Sequence, residues 1–282
     1  MSILVFGKNG QVGSALSRLP GVIALDRGQA DLCDAGACAR IIARTDARAV
    51  INAAAYTAVD RAETETDQAH LINAIAPGVL ARAAAQRGLP FVHLSTDYVF
   101  DGSGSAAWRP GDRPAPLGVY GASKLAGERA VKDAGGRYVI LRTSWVFSET
   151  GGNFVKTMLR LAAQNTRLNV VCDQRGGPTS ARSIAQACLK AVDGLDKNPG
   201  LSGVYHFSGA PETSWADFAR AIFDQAGVTV QVQDIPSSDY PTPAKRPINS
   251  VLNNDDFLNR FDIQRPDWRA DLAVVLADLA AT

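Results

Sequence analysis

Tyr120 and Lys124 stand four residues apart in Tyr120-Gly121-Ala122-Ser123-Lys124. On a helix that spacing puts a phenol and an ammonium on one face, about one turn apart. A tyrosine titrates near ~10 and is a poor acid–base group at neutral pH without help. A cation about 4 Å away, at an effective dielectric of ~20, is worth about 4 kcal/mol to the phenolate. That is roughly three pKa units, so the pair is expected to lower the Tyr120 pKa toward working pH. Thr96 closes an apolar run upstream, in Ser95-Thr96-Asp97-Tyr98. A hydroxyl at that strand's end can face the tyrosine across a substrate carbonyl. Tyr-x-x-x-Lys alone recurs by chance on helix surfaces, so its weight depends on the elements around it.

Those elements begin at once. Residues 2–6 form a short apolar run that reads as a buried strand. It leads into Gly7-Lys8-Asn9-Gly10-Gln11-Val12-Gly13, and then into a helical pattern over 14–19. Gly-x-x-Gly-x-x-Gly between strand and helix is a variant of the dinucleotide fingerprint. It supplies a tight turn, a bare backbone for a pyrophosphate and close helix–strand packing. The alternative is an ordinary glycine turn, which the position after the first strand disfavours. A second strand, 22–25, ends at Asp26, placed to accept the ribose hydroxyls of NAD. Arg27 follows and could meet a 2′-phosphate instead, so the sequence leans to NADH and leaves NADPH open. Asp31-Leu32 suits the adenine end, or Asp31 caps the helix predicted over 33–44. A third strand, 49–52, runs into Ala53-Ala54-Ala55-Tyr56-Thr57, whose small residues let a cofactor lie flat. A fourth, 91–94, brings Leu94 to the same end of the sheet, and a fifth covers 138–141.

Alternation of strand and helix implies an α/β fold: a doubly wound, Rossmann-like parallel sheet with ligands at the strands' carboxyl ends. Every motif above falls at such an end. We read residues 1–150 as the dinucleotide-binding domain. Residues 151–282 read mainly as a smaller C-terminal substrate lobe, with the chain returning to the sheet near 179–207. At 282 residues the chain can bury a full core plus that lobe. A net charge of +1 gives no reason to expect nucleic acid or an anionic membrane. No apolar run is long enough to span a bilayer, and the start reads as a core strand rather than a signal peptide. Cys33, Cys38, Cys172 and Cys188 form no Cys-x-x-Cys pair and read as reduced thiols of a cytoplasmic protein. His70, His93 and His206 are scattered, and the last two lie in apparent strands, where core packing is expected rather than metal ligation.

Taken together, these residues resemble the extended short-chain dehydrogenase/reductase family. The likeness covers nearly the whole chain, through stretches 6–13, 52–60, 95–101, 120–128, 142–147, 173–180, 203–209 and 246–252. Within the family it is nearest to enzymes that reduce a 4-keto sugar nucleotide. The resemblance implies NADH or NADPH as cofactor and a dTDP-sugar, dTDP-4-dehydro-β-L-rhamnose, as substrate. It implies Thr96, Tyr120 and Lys124 as catalytic residues. It puts the cofactor along Gly7, Gly10, Gln11, Val12, Asp26, Asp31, Leu32, Ala53, Ala54, Ala55, Tyr56, Thr57, Leu94, Tyr120 and Lys124. The sugar is expected at Thr96, Asp97, Tyr98 and Trp145, unless Trp145 is core packing. Asn153 would hold base or phosphate, or cap the helix it begins. Arg175 and Arg246 would grip the pyrophosphate as guanidinium forks, or be surface charges. Some members are described as dimers bridged by magnesium through glutamates, one of them in the first helix. Residues 12–18 here contain no acid, so no metal is expected, and a monomer or homodimer is. Two other readings stay open: a reductase of another deoxy-sugar nucleotide, and a dinucleotide-binding regulatory subunit that has lost catalysis.

Overall fold

The computed structural model describes residues 2–281. In chain order the first half runs β1 Ile3–Phe6, α1 Gln11–Ser17, β2 Val22–Leu25, α2 Ala35–Arg44, β3 Ala49–Asn52, α3 Val59–Ala62, α4 Thr66–His70, α5 Ala76–Gln86, β4 Phe91–Thr96, α6 Val119–Asp133 and β5 Tyr138–Thr143. The second half runs β6 Val146–Phe147, α7 Phe154–Ala162, β7 Arg167–Val171, β8 Arg175–Gly176, β9 Thr179–Ser180, α8 Ala181–Lys197, β10 Gly203–His206, β11 Thr213–Ser214, α9 Trp215–Ala226, β12 Gln231–Ile235, α10 Asp255–Phe261 and α11 Trp268–Ala280. Among the described residues no helix is long and apolar enough to cross a membrane.

Six strands form one parallel sheet in the order β10-β5-β4-β3-β1-β2. Strands β1 and β3 are buried along their whole length, which is why Ile3–Phe6 and Ala49–Asn52 read as unbroken apolar runs rather than alternating ones. One face packs on α1, α8 and α10 through Leu16, Ile184, Cys188 and Phe257. The other packs on α2 and α5 through Ile42, Leu80 and Ala84. From β1 the chain crosses to β2 on one side and then to β3 on the other. The sheet therefore has its topological switch point beside β1, where open α/β sheets hold ligands. In register, Phe6 is level with Asn52, and Thr96 with Thr143, so the ends that carry the motifs lie along one rim.

Beyond β5 a second apolar cluster gathers Phe147, Val155, Phe218, Ile222, Trp268 and Leu272 from α7, α9 and α11. Its short sheets, β12 with β7 and β11 with β8, stand apart from the main one. The chain returns to the main sheet through β10, which pairs with β5, and through α8, which packs on α1.

Candidate active site

A cleft of about 650 Å³ runs along the carboxyl rim of the sheet. At one end lie Gly7, Gly10, Gln11 and Val12; Arg27, Asp31 and Leu32 lie beside them; Ala53, Ala54, Ala55 and Thr57 line its wall. Leu94, Thr96, Asp97, Tyr98, Tyr120 and Lys124 meet further along, and Trp145 and Trp215 border it from the second cluster. Its size is that of a small-molecule or cofactor site.

The glycine loop is shaped by close approach. Gly7 has φ +98, and a Cβ there would lie 2.7 Å from the Ala54 amide nitrogen. A Cβ on Gly13 would lie 1.9 Å from the Gly7 carbonyl oxygen, so only glycine lets α1 start this near the turn. Gly10 precedes α1 with no side-chain cap, which leaves the loop's backbone bare toward the cleft. Such a bare cradle, open at the far end onto Arg27 and Asp31, fits a dinucleotide. Arg27 Nε and Asp31 Oδ2 pair at 3.2 Å, and both are exposed. An acid for ribose hydroxyls and a cation for a 2′-phosphate thus sit side by side, and the site suits NADH and NADPH alike.

Helix α6 carries Tyr120 and Lys124 and is held by its neighbours. A Cβ on Gly121 would lie 2.1 Å from the Tyr98 carbonyl oxygen, so the helix rests against the turn that follows β4. Asn73, fully buried in a π-helical turn at 71–75, accepts from the Tyr56 amide at 2.9 Å and donates to Ser123 Oγ at 3.1 Å. Ser123 Oγ in turn donates to the Tyr120 carbonyl at 2.8 Å. One side chain therefore locks the helix that carries Tyr120 and Lys124 to the wall that a cofactor would face. Further along α6, Glu128 receives Arg142 Nε at 2.8 Å, Arg142 Nη2 at 2.7 Å and Ser95 Oγ at 2.6 Å.

The ammonium does not act on the phenol as its spacing suggests. Lys124 Nζ donates to the Leu94 carbonyl at 2.6 Å and lies 3.5 Å from His93 Nε2. Burial pushes the Tyr120 phenol up to about 12, against a hydrogen bond with Thr96 that lowers it and with the Asp97 charge raising it further. Burial pulls Lys124 down to about 8, with Glu128 opposing. The sequence-based expectation of a lowered phenol is thus reversed: desolvation dominates, and Nζ is engaged by the Leu94 carbonyl of β4. Tyr98 stands edge-on to Tyr120, ring centroids 5.6 Å apart, and its own phenol is raised by burial. Thr96 Oγ1 donates to Asp97 Oδ1 at 3.0 Å and accepts from the Tyr98 amide at 3.2 Å. Asp97 is 3% exposed and burial raises it to about 6.

Five expected site residues lie outside the lining of the cleft. Asp26 closes its own turn, accepting from the Gln29 amide at 3.1 Å. Tyr56 turns its phenol away, to Glu65 Oε2 at 2.6 Å. Asn153 caps α7 through Lys156 N and ties the loop before it to Gln11 and Ser148. Arg175 is exposed beside Glu212, 3.5 Å away. Arg246 is bound to Asp60 at 2.8 Å. Asp31 lines the cleft and caps a short turn at 32–34, accepting from the Cys33 amide at 3.0 Å, whereas α2 itself is capped by Asp34. Trp145 lines the cleft with a left-handed φ of 49, an uncommon conformation for a bulky residue. Its indole stacks on Trp215, centroids 3.5 Å apart and planes 6° from parallel. Trp215 escaped the sequence reading; the only local signal was an aromatic directly after Thr213-Ser214 at a helix start.

Comparison with known proteins agrees with this geometry. A family model described as the RmlD substrate binding domain matches residues 1–281. The dTDP-4-dehydrorhamnose reductase of Burkholderia thailandensis is 45% identical over 295 residues, covering 99% of each chain. The crystal structure of such a reductase from Clostridium acetobutylicum superposes with a TM-score of 0.92, at 38% identity and 100% coverage of both chains. That of Bacillus anthracis, solved in complex with NADP, gives 0.91 at 35% identity, covering 99% of this chain and 100% of that one. A match over essentially the full length, on a sheet whose rim carries the glycine loop and the Tyr120–Lys124 helix, places this chain in the RmlD substrate binding domain family.

Proposed function

We propose that this protein is a dTDP-4-dehydrorhamnose reductase, converting the C4 keto group of dTDP-4-dehydro-β-L-rhamnose to the alcohol of dTDP-β-L-rhamnose. The observation that carries it is the meeting of Thr96, Tyr120 and Lys124 in the same cleft as the glycine loop. Reduced nicotinamide of NADH or NADPH, when bound, supplies the hydride for C4. Gly7, Gly10, Gln11, Val12 and the wall 53–55 would hold the dinucleotide. The Thr96 hydroxyl, turned from Asp97 Oδ1, donates a hydrogen bond to the carbonyl oxygen as charge grows there. Tyr120 gives that oxygen its phenolic proton. A phenol held near about 12 keeps its proton at any working pH, which is the form a reduction needs. Lys124, as the ammonium, holds the nicotinamide ribose. Asp97, Tyr98 and Trp145 bound the place for the sugar, with Trp215 beside them. The four cysteines are all free thiols, which fits work in the cytoplasm.

The test is consumption of reduced nicotinamide, followed by its absorbance, with enzymatically generated dTDP-4-dehydro-β-L-rhamnose and with NADH and NADPH in parallel. Formation of dTDP-rhamnose is expected with both cofactors. Cofactor binding without turnover on this sugar would move the assignment to another keto-sugar nucleotide. Tyr120→Phe is expected to bind either cofactor as the natural protein does and to lose most turnover; unchanged turnover would remove Tyr120 from the role of acid.

A further inference from the structure

Lys124 ends a buried chain of polar groups that the reaction above does not use. Asn52, the last residue of β3, lies level with His93 of β4, and both are fully buried. The Ala54 amide donates to Asn52 Oδ1 at 3.2 Å, which fixes the carboxamide: Nδ2 can then only donate. Nδ2 lies 3.2 Å from His93 Nδ1, so Nδ1 must offer its lone pair. Burial, reinforced by the nearby Lys124 charge, holds the imidazole well below its ordinary pKa. The ring therefore carries one proton, and that proton sits on Nε2. Nε2 faces Lys124 Nζ at 3.5 Å.

An ammonium has three donors and no acceptor, so Nε2–H meets it donor to donor. A neutral amine has a lone pair and can accept that N–H while still donating to the Leu94 carbonyl. The other ionisable groups around Nζ do not reverse this preference. Glu128, one turn along α6, favours the ammonium but is already shared between Arg142 of β5 and Ser95 of β4. Tyr120, one turn back, is kept uncharged by burial.

We propose that Asn52 and His93 are positioning residues for Lys124: by locking the imidazole as its Nε2–H tautomer they disfavour the ammonium and favour the amine. Only the kinetic arm of the test rests on the reductase reading; the spectroscopic arm does not. Ligand-free protein labelled with ¹⁵N at histidine and lysine is to be followed by long-range ¹H–¹⁵N spectra across pH. His93 is identified by its loss in His93→Gln. The expected result is a proton on His93 Nε2 and none on Nδ1. Asn52→Leu removes the donor to Nδ1 without touching Lys124, freeing the ring to present an Nε2 lone pair to the ammonium. The Lys124 Nζ midpoint is then expected to rise by about one pH unit, tenfold in proton affinity, with the alkaline limb of kcat/KM moving alike. His93→Gln, whose Oε1 can accept, should move it in the same direction. A proton on Nδ1 in the natural protein overturns the proposal, and so does a Lys124 midpoint that stays put in both folded variants. The expected tautomer with no keto-sugar reduction removes only the reductase assignment.

Discussion

Asp97 buries a carboxyl beside the hydroxyl of Thr96 and leaves its Oδ2 without a hydrogen-bond partner among the described residues. Burial raises its pKa to about 6, against hydrogen bonds from Ser250 and Thr96. The folded protein thus holds this proton more tightly than the unfolded chain does. The side chain's contribution to stability is fullest below the unfolded carboxyl range near ~4 and is lost as pH rises through about 6. Asp97→Asn is expected to raise the melting temperature at pH ~7, by at most about 3 kcal/mol of stability, and to leave it unchanged near pH ~4. Turnover should fall, because a carboxyl held at such a cost suits a ligand contact rather than the fold. Lys124 has the opposite sign. Its folded pKa of about 8 lies below the unfolded value of 10.5, so the unfolded chain binds more protons between them and stability rises with pH across that window. Unfolding in urea at several pH values should show that slope in the natural protein and its loss in Lys124→Met. At the adenosine end, Arg27→Ala should weaken NADPH binding and spare NADH, since the exposed Arg27–Asp31 pair contributes little to the fold itself.

Helices act here through where they are pinned. Gly13→Ala would drive a Cβ into the Gly7 carbonyl, pushing α1 off the loop. We expect a loss on the order of 2–3 kcal/mol in denaturant unfolding, with cofactor affinity lost as well. Glu128→Gln leaves Arg142 of β5 buried and uncompensated beside α6, a cost of about 3–5 kcal/mol. Replacing both by leucine should restore much of that loss, since apolar packing often matches a buried pair. This contrast between local and distant partners explains what could be read from the chain. The glycine loop, the strands β1 to β4 and the Tyr120–Lys124 face are written in residues next to one another, and periodicity reveals them. Arg246 is claimed by Asp60 and Arg175 by Glu212, partners that only the folded chain brings near. Asn153 is spent on a cap and on Gln11 in the same way. The direction of the Tyr120 shift was hidden too, because desolvation is a property of the whole surroundings and spacing carries only the Coulomb part.

Across the molecule, the cleft is bordered by the parallel sheet on one side and by the α7, α9 and α11 cluster on the other, joined through Trp145 and Trp215. A ligand bound along it touches both, so its binding energy adds to the cohesion of the whole. NADPH at a hundredfold its Kd should raise stability by about 2.7 kcal/mol if the unfolded chain ignores it, and thermal unfolding would read this directly. The two indoles also have an optical consequence. Parallel rings 3.5 Å apart share their excited states, so the pair should rotate polarised ultraviolet light as one chromophore. Any sugar that slides beside Trp145 and tilts one plane breaks that sharing, and the protein announces an occupied cleft in its own spectrum, with no label attached.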